Sequence, residues 1–331
     1  AHLGLFGYDP VKYEIGRGVL SALGIDFELG PNDVAARGNF CTVDENGVIT
    51  DRRAGRIPTE EGQRLCNLLK EKINLPGVEL FLEPEKEYRF VFVLRGEGLD
   101  GHVSDTDPQA VGKKAYVPEA LKPDAEKTAE LVREFVRQGN EILKNEAPAN
   151  SFVLRGFAGM PKWPKFNDVW GLNSVAIAMY PMYRGVAKVV GMTVLHPAES
   201  MSQEIDMLEE YWDKHDFFFV HIKKTDSFGE DGNFEGKVGI IEEVDALIPR
   251  IIALDPDVLI ITGDHSTPSK LKAHSWHPIP TMLWSKNARP DGIEAFGERE
   301  CLKGSLGSRF DANDLLPLAL SHALRLEKFG A

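Results

Sequence analysis

The 331-residue chain has only three cysteines, Cys41, Cys66 and Cys301, widely spaced and without a Cys-x-x-Cys pair. That scarcity excludes a disulfide framework and a thiolate zinc site, and fits a reducing cytoplasm. No apolar run approaches the roughly 20 residues that a bilayer span needs. The longest, Phe217–Val220 and Val258–Ile261, read as buried strands, so no membrane partner is expected. Positive charge is also short: 38 Lys and Arg stand against 51 Asp and Glu, for a net charge of −13. A phosphate backbone needs clustered Lys and Arg, so nucleic acid is excluded as a partner. The N-terminus lacks the basic and apolar regions of a secretion signal, and no repeat or low-complexity tract occurs.

What is present is enough apolar residue to bury real cores, 43% against 27% charged, over a length that predicts about two domains. Asn39–Val43 and Gly47–Thr50 flank an Asn46-Gly47 hairpin signal. Thr59 reads as an N-cap for a helix reaching Ile73, Tyr88–Leu94 as a strand, and Asp124–Leu143 as an amphipathic helix. The Gly- and Pro-rich stretch Gly156–Asn167 reads as a linker. Beyond it, the strand-like runs Val175–Tyr180, Val186–Val190, Phe217–Ile222, Val258–Thr262 and Ile279–Leu283 alternate with helices, including Val238–Leu254. Continuous apolar strands of this kind predict a mostly parallel sheet covered on both faces, with chemistry at the strands' carboxyl ends.

Three strand-edge loops carry candidates. Phe217–Ile222 runs into an acidic loop with Asp226, Glu230 and Asp231. Val258–Thr262 runs into Asp264 and His265, and His274 and His277 precede the next strand. An Asp-rich loop is ordinarily a solvated turn, and a single His ordinarily a satisfied core residue. Their coincidence at one sheet edge points to a metal. Carboxylates and imidazoles without thiolate suit Mn²⁺, Mg²⁺ or Zn²⁺, and two such ions form the usual clamp for phosphoryl transfer.

The arginines are also organised. Arg37, the Arg52, Arg53 and Arg56 cluster, Arg95 and Arg155 fall at ends of strand-like runs. Arginine suits bidentate recognition of phosphate or carboxylate; any single one could equally be a surface salt bridge, and the Arg52–Arg56 cluster and Arg155 are the ones read as an anion site. Gly96-Glu97-Gly98-Leu99-Asp100-Gly101 fits a dinucleotide fingerprint in letters only. The turn chemistry of His102–Pro108 comes after it instead of a helix, so a nucleotide site is rejected.

These residues resemble the archaeal-type cofactor-independent phosphoglycerate mutases of the alkaline phosphatase superfamily, over nearly the whole chain. The motifs that carry the resemblance include Ala1-His2-Leu3, Gly16-Arg17-Gly18, Arg37-Gly38-Asn39-Phe40, Asp51–Arg56, Leu94–Leu99, Asp105–Pro108 and Leu154-Arg155-Gly156. Lys224-Thr225-Asp226, Asp231–Phe234 with Lys237, Gly263–Pro268, His274-Ser275 and the tail Glu327–Ala331 add to it. The resemblance implies an α/β fold: an alkaline-phosphatase-like, mostly parallel sheet sandwiched by helices, with an inserted α+β substrate-capping domain. The metal-binding core would span 1–20 and 151–331, and the inserted domain 21–150.

It further implies interconversion of 3-phosphoglycerate and 2-phosphoglycerate through a phosphoserine, with two divalent ions, Mn²⁺ first and Mg²⁺ or Zn²⁺ as alternatives. Asp264 and His265 would ligate one ion and Asp226 and His274 the other. Glu230 stands where the family often has His, a change that could shift preference toward harder cations. His2 would lie close to the nucleophile. Arg52, Arg53, Arg56, Arg95 and Arg155 would clamp the substrate's phosphate and carboxylate. The family's nucleophilic serine lies immediately ahead of Ala-His-Leu, so residues 1–331 by themselves are expected to be inactive as a mutase. A metal-dependent phosphohydrolase or phosphonate-cleaving enzyme on the same core, or a non-catalytic metabolite-binding relative, are the alternatives. The expected partner is a small molecule in the cytoplasm, and oligomeric state is left open.

Overall fold

The computed structural model describes residues 2–327; Ala1 and, in the tail motif, Lys328, Phe329, Gly330 and Ala331 lie outside the described residues. The chain forms two compact units, one of residues 15–164 and 180–191, the other of 1–14, 165–179 and 192–331. These limits differ from the expected ones, which split the chain near residues 20 and 150. The strand Ser151–Ala158 pairs into the first unit's sheet, and helix Pro181–Val189 packs on helix Arg17–Gly24, so all three belong together.

In the first unit, β1 (Asp33–Val43) is the hub of an antiparallel sheet with β2 (Ile49–Asp51), β3 (Glu79–Lys86), β4 (Arg89–Arg95) and β5 (Ser151–Ala158). Alternation along β1 sorts its faces. Val34, Ala36 and Phe40 join Phe90, Phe92 and Leu154 in a core roofed by Leu65, Leu69, Val132 and Phe135 of helices Thr59–Lys72 and Glu126–Leu143. The opposite face carries Asp33, Arg37, Asn39 and Arg155. The hairpin signal is realised: Asp44 Oδ1 accepts from the Asn46 and Val48 amides, with Gly47 at φ 74°. Thr59 does not cap its helix; Pro58 holds that position, and the Thr59 hydroxyl accepts from the Glu87 amide at 3.0 Å. No helix opens after Gly96–Gly101, in keeping with rejection of a nucleotide fingerprint.

In the second unit, β6 (Ser174–Ala178), β7 (Thr193–Val194) and β8 (Phe217–His221) form a parallel sheet of order β7-β6-β8. Val175 and Ile177 bury against Ile205 and Leu208 of helix Met201–Tyr211. β9 (Val258–Ile261) pairs with β10 (Met282–Ser285), but antiparallel. The fold is therefore mixed α/β, with the parallel strands confined to this unit. The stretch expected as a strand at Val186–Val190 is helical instead: Pro181 occupies the first turn, where its missing N–H costs nothing, and Tyr183, Val186, Ala187 and Val190 recur at helical spacing. Among the described residues, no helix is long and apolar enough to cross a membrane.

Candidate metal centre and arginine cluster

The metal candidates are set by the segments that leave β8 and β9. After β8 the chain turns into helix Lys224–Asp231 rather than the expected loop. Asp226 sits in that helix's first turn, where the helix dipole favours a carboxylate, and Glu230 comes one turn later on the same side. After β9 come Asp264 and His265. The isolated bridge Ser266↔Ser275, with the Ser275 amide donating to Ser266 O at 2.9 Å, folds the chain back and brings His274 beside them.

Two groups of donors result. His274 Nε2 lies 3.5 Å from both Asp226 Oδ1 and Glu230 Oε1. His265 Nε2 lies 3.4 Å from Asp264 Oδ2, and His2 Nδ1 lies 3.1 Å from the same oxygen. The groups touch: the His265 and His274 rings stack at 3.8 Å, and His265 Nδ1 is 3.8 Å from Asp226 Oδ1. Ligand atoms of Asp226, His265 and His274 all lie within 4.8 Å of one another. Asp231 and His277 stand outside; His277 Nδ1 instead meets Ser275 Oγ at 2.8 Å.

The electrostatics suit a cation. Burial works to raise the Asp264 pKa, but the His2 hydrogen bond and the His2, His265 and His221 rings outweigh it and hold the carboxyl below its usual range. Burial lowers the His265 pKa, against the pull of Asp264, which favours the ring form with a lone pair to offer. Burial and the neighbouring His2 push His221, the last residue of β8, down to about 3. The Lys223 ammonium pairs with Asp226 Oδ2. Carboxylate oxygens and imidazole nitrogens, without sulfur, form a donor set that fits Mn²⁺, Mg²⁺ or Zn²⁺.

The first unit holds a cluster of the opposite sign. Arg52 Nη2 lies 2.9 Å and Arg155 Nη1 3.8 Å from Asp107 Oδ2, whose side chain is fully buried. Arg37 is directly opposite Arg155 across β1 and β5, and pairs with buried Glu85 at 3.1 Å. Burial lowers the Arg155 pKa, as do the charges of Arg17, Arg37 and Arg52, against the pull of Asp107. The Nε atoms of Arg37, Arg52 and Arg155 are buried without hydrogen-bond partners. A nest of guanidinium groups with unmet donors is a ready anion site. The other expected clamp residues stand apart. Arg95 is committed to Asp33 at 2.8 Å, four residues from Arg37 along β1, or roughly 13 Å. Arg53 and Arg56 are exposed and form no ion pair among the described residues. Arg37 takes their place, and the charge of the exposed Arg17 is felt at Arg155. Arg37, one of the strand-end arginines of the sequence, faces Arg155 by strand register, whereas Arg17 opens a helix flanked by glycine whose place spacing alone does not disclose.

A chain with an acid–imidazole cluster at strand ends and a separate buried arginine nest has the equipment of an enzyme for an anionic substrate. Comparison with known proteins gives the family. A profile described as "2,3-bisphosphoglycerate-independent phosphoglycerate mutase" matches residues 1–150. A protein of Thermotoga sp. (strain RQ2), named a probable 2,3-bisphosphoglycerate-independent phosphoglycerate mutase, is 53% identical over 331 residues, covering 100% of this chain and 82% of its own. An Aquifex aeolicus (strain VF5) protein of the same name is 50% identical over 340 residues, covering 100% and 83%. A solved structure of a Pyrococcus horikoshii protein matches with a TM-score of 0.83 at 29% identity, over 100% of this chain and 84% of that one. The cofactor-independent phosphoglycerate mutase of Thermoplasma acidophilum matches with a TM-score of 0.70 at 25% identity, over 98% and 85%. The chain belongs to the 2,3-bisphosphoglycerate-independent phosphoglycerate mutases, a family of isomerases.

Proposed function

We propose that the protein interconverts 3-phosphoglycerate and 2-phosphoglycerate through a phosphoserine, with two divalent cations, Mn²⁺ first among them. The single observation that carries this reading is the convergence of Asp226, Glu230, His274, Asp264, His265 and His2 from separate turns into adjoining donor groups. Asp226, Glu230 and His274 would hold one ion, and Asp264 and His265 the other. Such ions supply charge neutralisation of phosphoryl oxygens and activation of a hydroxyl.

The chain's own residues do the rest. His2, itself buried, fixes Asp264 in orientation through its Nδ1. Arg17, Arg37, Arg52 and Arg155 supply fixed positive charge against the single Asp107 carboxylate and the Glu85 partner, which suits a substrate bearing both phosphate and carboxylate. Arg37 and Arg155, largely buried, are held in place for anionic oxygens before these bind.

The test is 3-phosphoglycerate turnover coupled to enolase, using protein expressed from its full reading frame, with Mn²⁺ and without bisphosphoglycerate. Turnover abolished by EDTA and restored by Mn²⁺ is expected, with phosphoserine detectable by mass spectrometry after a denaturing quench. An EDTA-resistant rate that requires bisphosphoglycerate would overturn the reading, and phosphate release without isomer formation would make the protein a phosphohydrolase.

A further inference from the structure

We infer that Thr267 is the positioning residue that couples the two halves of the metal centre, by fixing both the Asp226 carboxylate and the tautomer of His265. The inference rests on the metal reading above. Thr267 is 3% exposed, and its Oγ1 stands 2.5 Å from Asp226 Oδ1 and 3.1 Å from His265 Nδ1. A carboxylate oxygen only accepts, so the single hydroxyl proton goes to Asp226. The remaining lone pair of Oγ1 then faces His265 Nδ1, which must carry the proton and donate it. That leaves the lone pair of His265 on Nε2, the atom turned toward Asp264 at 3.4 Å. One hydroxyl thus ties a ligand of one donor group to a ligand of the other and selects which imidazole nitrogen is free to bind.

The backbone of Thr267 is itself held. The Thr267 carbonyl accepts from Lys237 Nζ at 2.8 Å. The same carbonyl packs so closely on Gly229, between Asp226 and Glu230 in sequence, that a Cβ there would come within 2.2 Å. Ligand histidines usually give their second nitrogen to such a partner, and its loss typically weakens metal binding roughly 10–100-fold.

Two measurements test this. In the metal-free wild type, long-range ¹H–¹⁵N spectra should show His265 protonated at Nδ1; protonation at Nε2 would overturn the assignment. Mn²⁺ titration calorimetry should show two ions on the wild type, with affinity down about 10–100-fold in Thr267→Val and within about threefold of wild type in Thr267→Ser. Circular dichroism checks that each variant is folded; if Thr267→Val is not, the tautomer and Thr267→Ser decide. A folded Thr267→Val that binds both ions like wild type would sink the coupling role alone. A wild type that binds no Mn²⁺ would sink the metal reading, and this inference with it.

Discussion

Glu204 offers the sharpest test of the second unit's physics. It lies in helix Met201–Tyr211, is 0% exposed, and neither carboxyl oxygen has a hydrogen-bond partner. Burial raises its pKa from 4.5 to about 8; the Met179 backbone amide works the other way, at a geometry short of a hydrogen bond. Between those values the folded chain keeps a proton that the unfolded chain releases, so stability must fall as pH rises through that window. The slope is about 1.4 kcal/mol per pH unit, for an upper bound of roughly 5 kcal/mol by pH 8. Glu204→Gln removes the ionisation while keeping the shape. The variant should match wild type near pH 5 and be more stable by a few kcal/mol at pH 8. Urea unfolding at both pH values, followed by tryptophan fluorescence, measures this; of the five tryptophans only Trp163 lies in the other unit. A gap that does not change with pH, or a variant weaker than wild type at pH 8, would refute the argument.

Other substitutions probe the two sites and the packing. Asp226→Asn should lower Mn²⁺ affinity and coupled turnover by more than the roughly 10–100-fold typical of an outer partner, read by titration calorimetry and the enolase assay. Arg155→Met should raise KM for 3-phosphoglycerate about 10–100-fold, the equivalent of losing one charge-assisted hydrogen bond, while Arg95→Met, already committed to Asp33, should leave it within about threefold. Gly239→Ala, with open space beside it in helix Phe234–Ala253, should stabilise by roughly 0.5–1 kcal/mol. Gly18→Ala should instead destabilise, although it too is helical, because its Cβ would stand 2.3 Å from the Ala35 carbonyl. Thermal melts decide both signs.

The acid–imidazole donors were legible because strand ends leading into Asp and His need only local pattern to be seen. What stayed hidden depends on contacts far apart in sequence. The Ser266↔Ser275 bridge returns His274 to His265, and the β1–β5 register sets Arg37 opposite Arg155. Helix Pro181–Val189 was misread because its short apolar run also fits a strand, and only the proline distinguishes them. The acidic stretch at Asp226 was misread as a loop because its glycines suggested a turn, yet Gly232 instead ends the helix in a left-handed conformation. Arg95 seemed a clamp member by its place at a strand end, and its cross-strand neighbour Asp33 claims it.

Arg37 and Arg155 face one another across β1 and β5. Like charges opposite one another loosen a strand pair, but here each has its own carboxylate, Glu85 for Arg37 and Asp107 for Arg155, so the β1–β5 pairing does not wait on a ligand. The sheet, and not the ligand, thus bears the cost of gathering two like charges in one place.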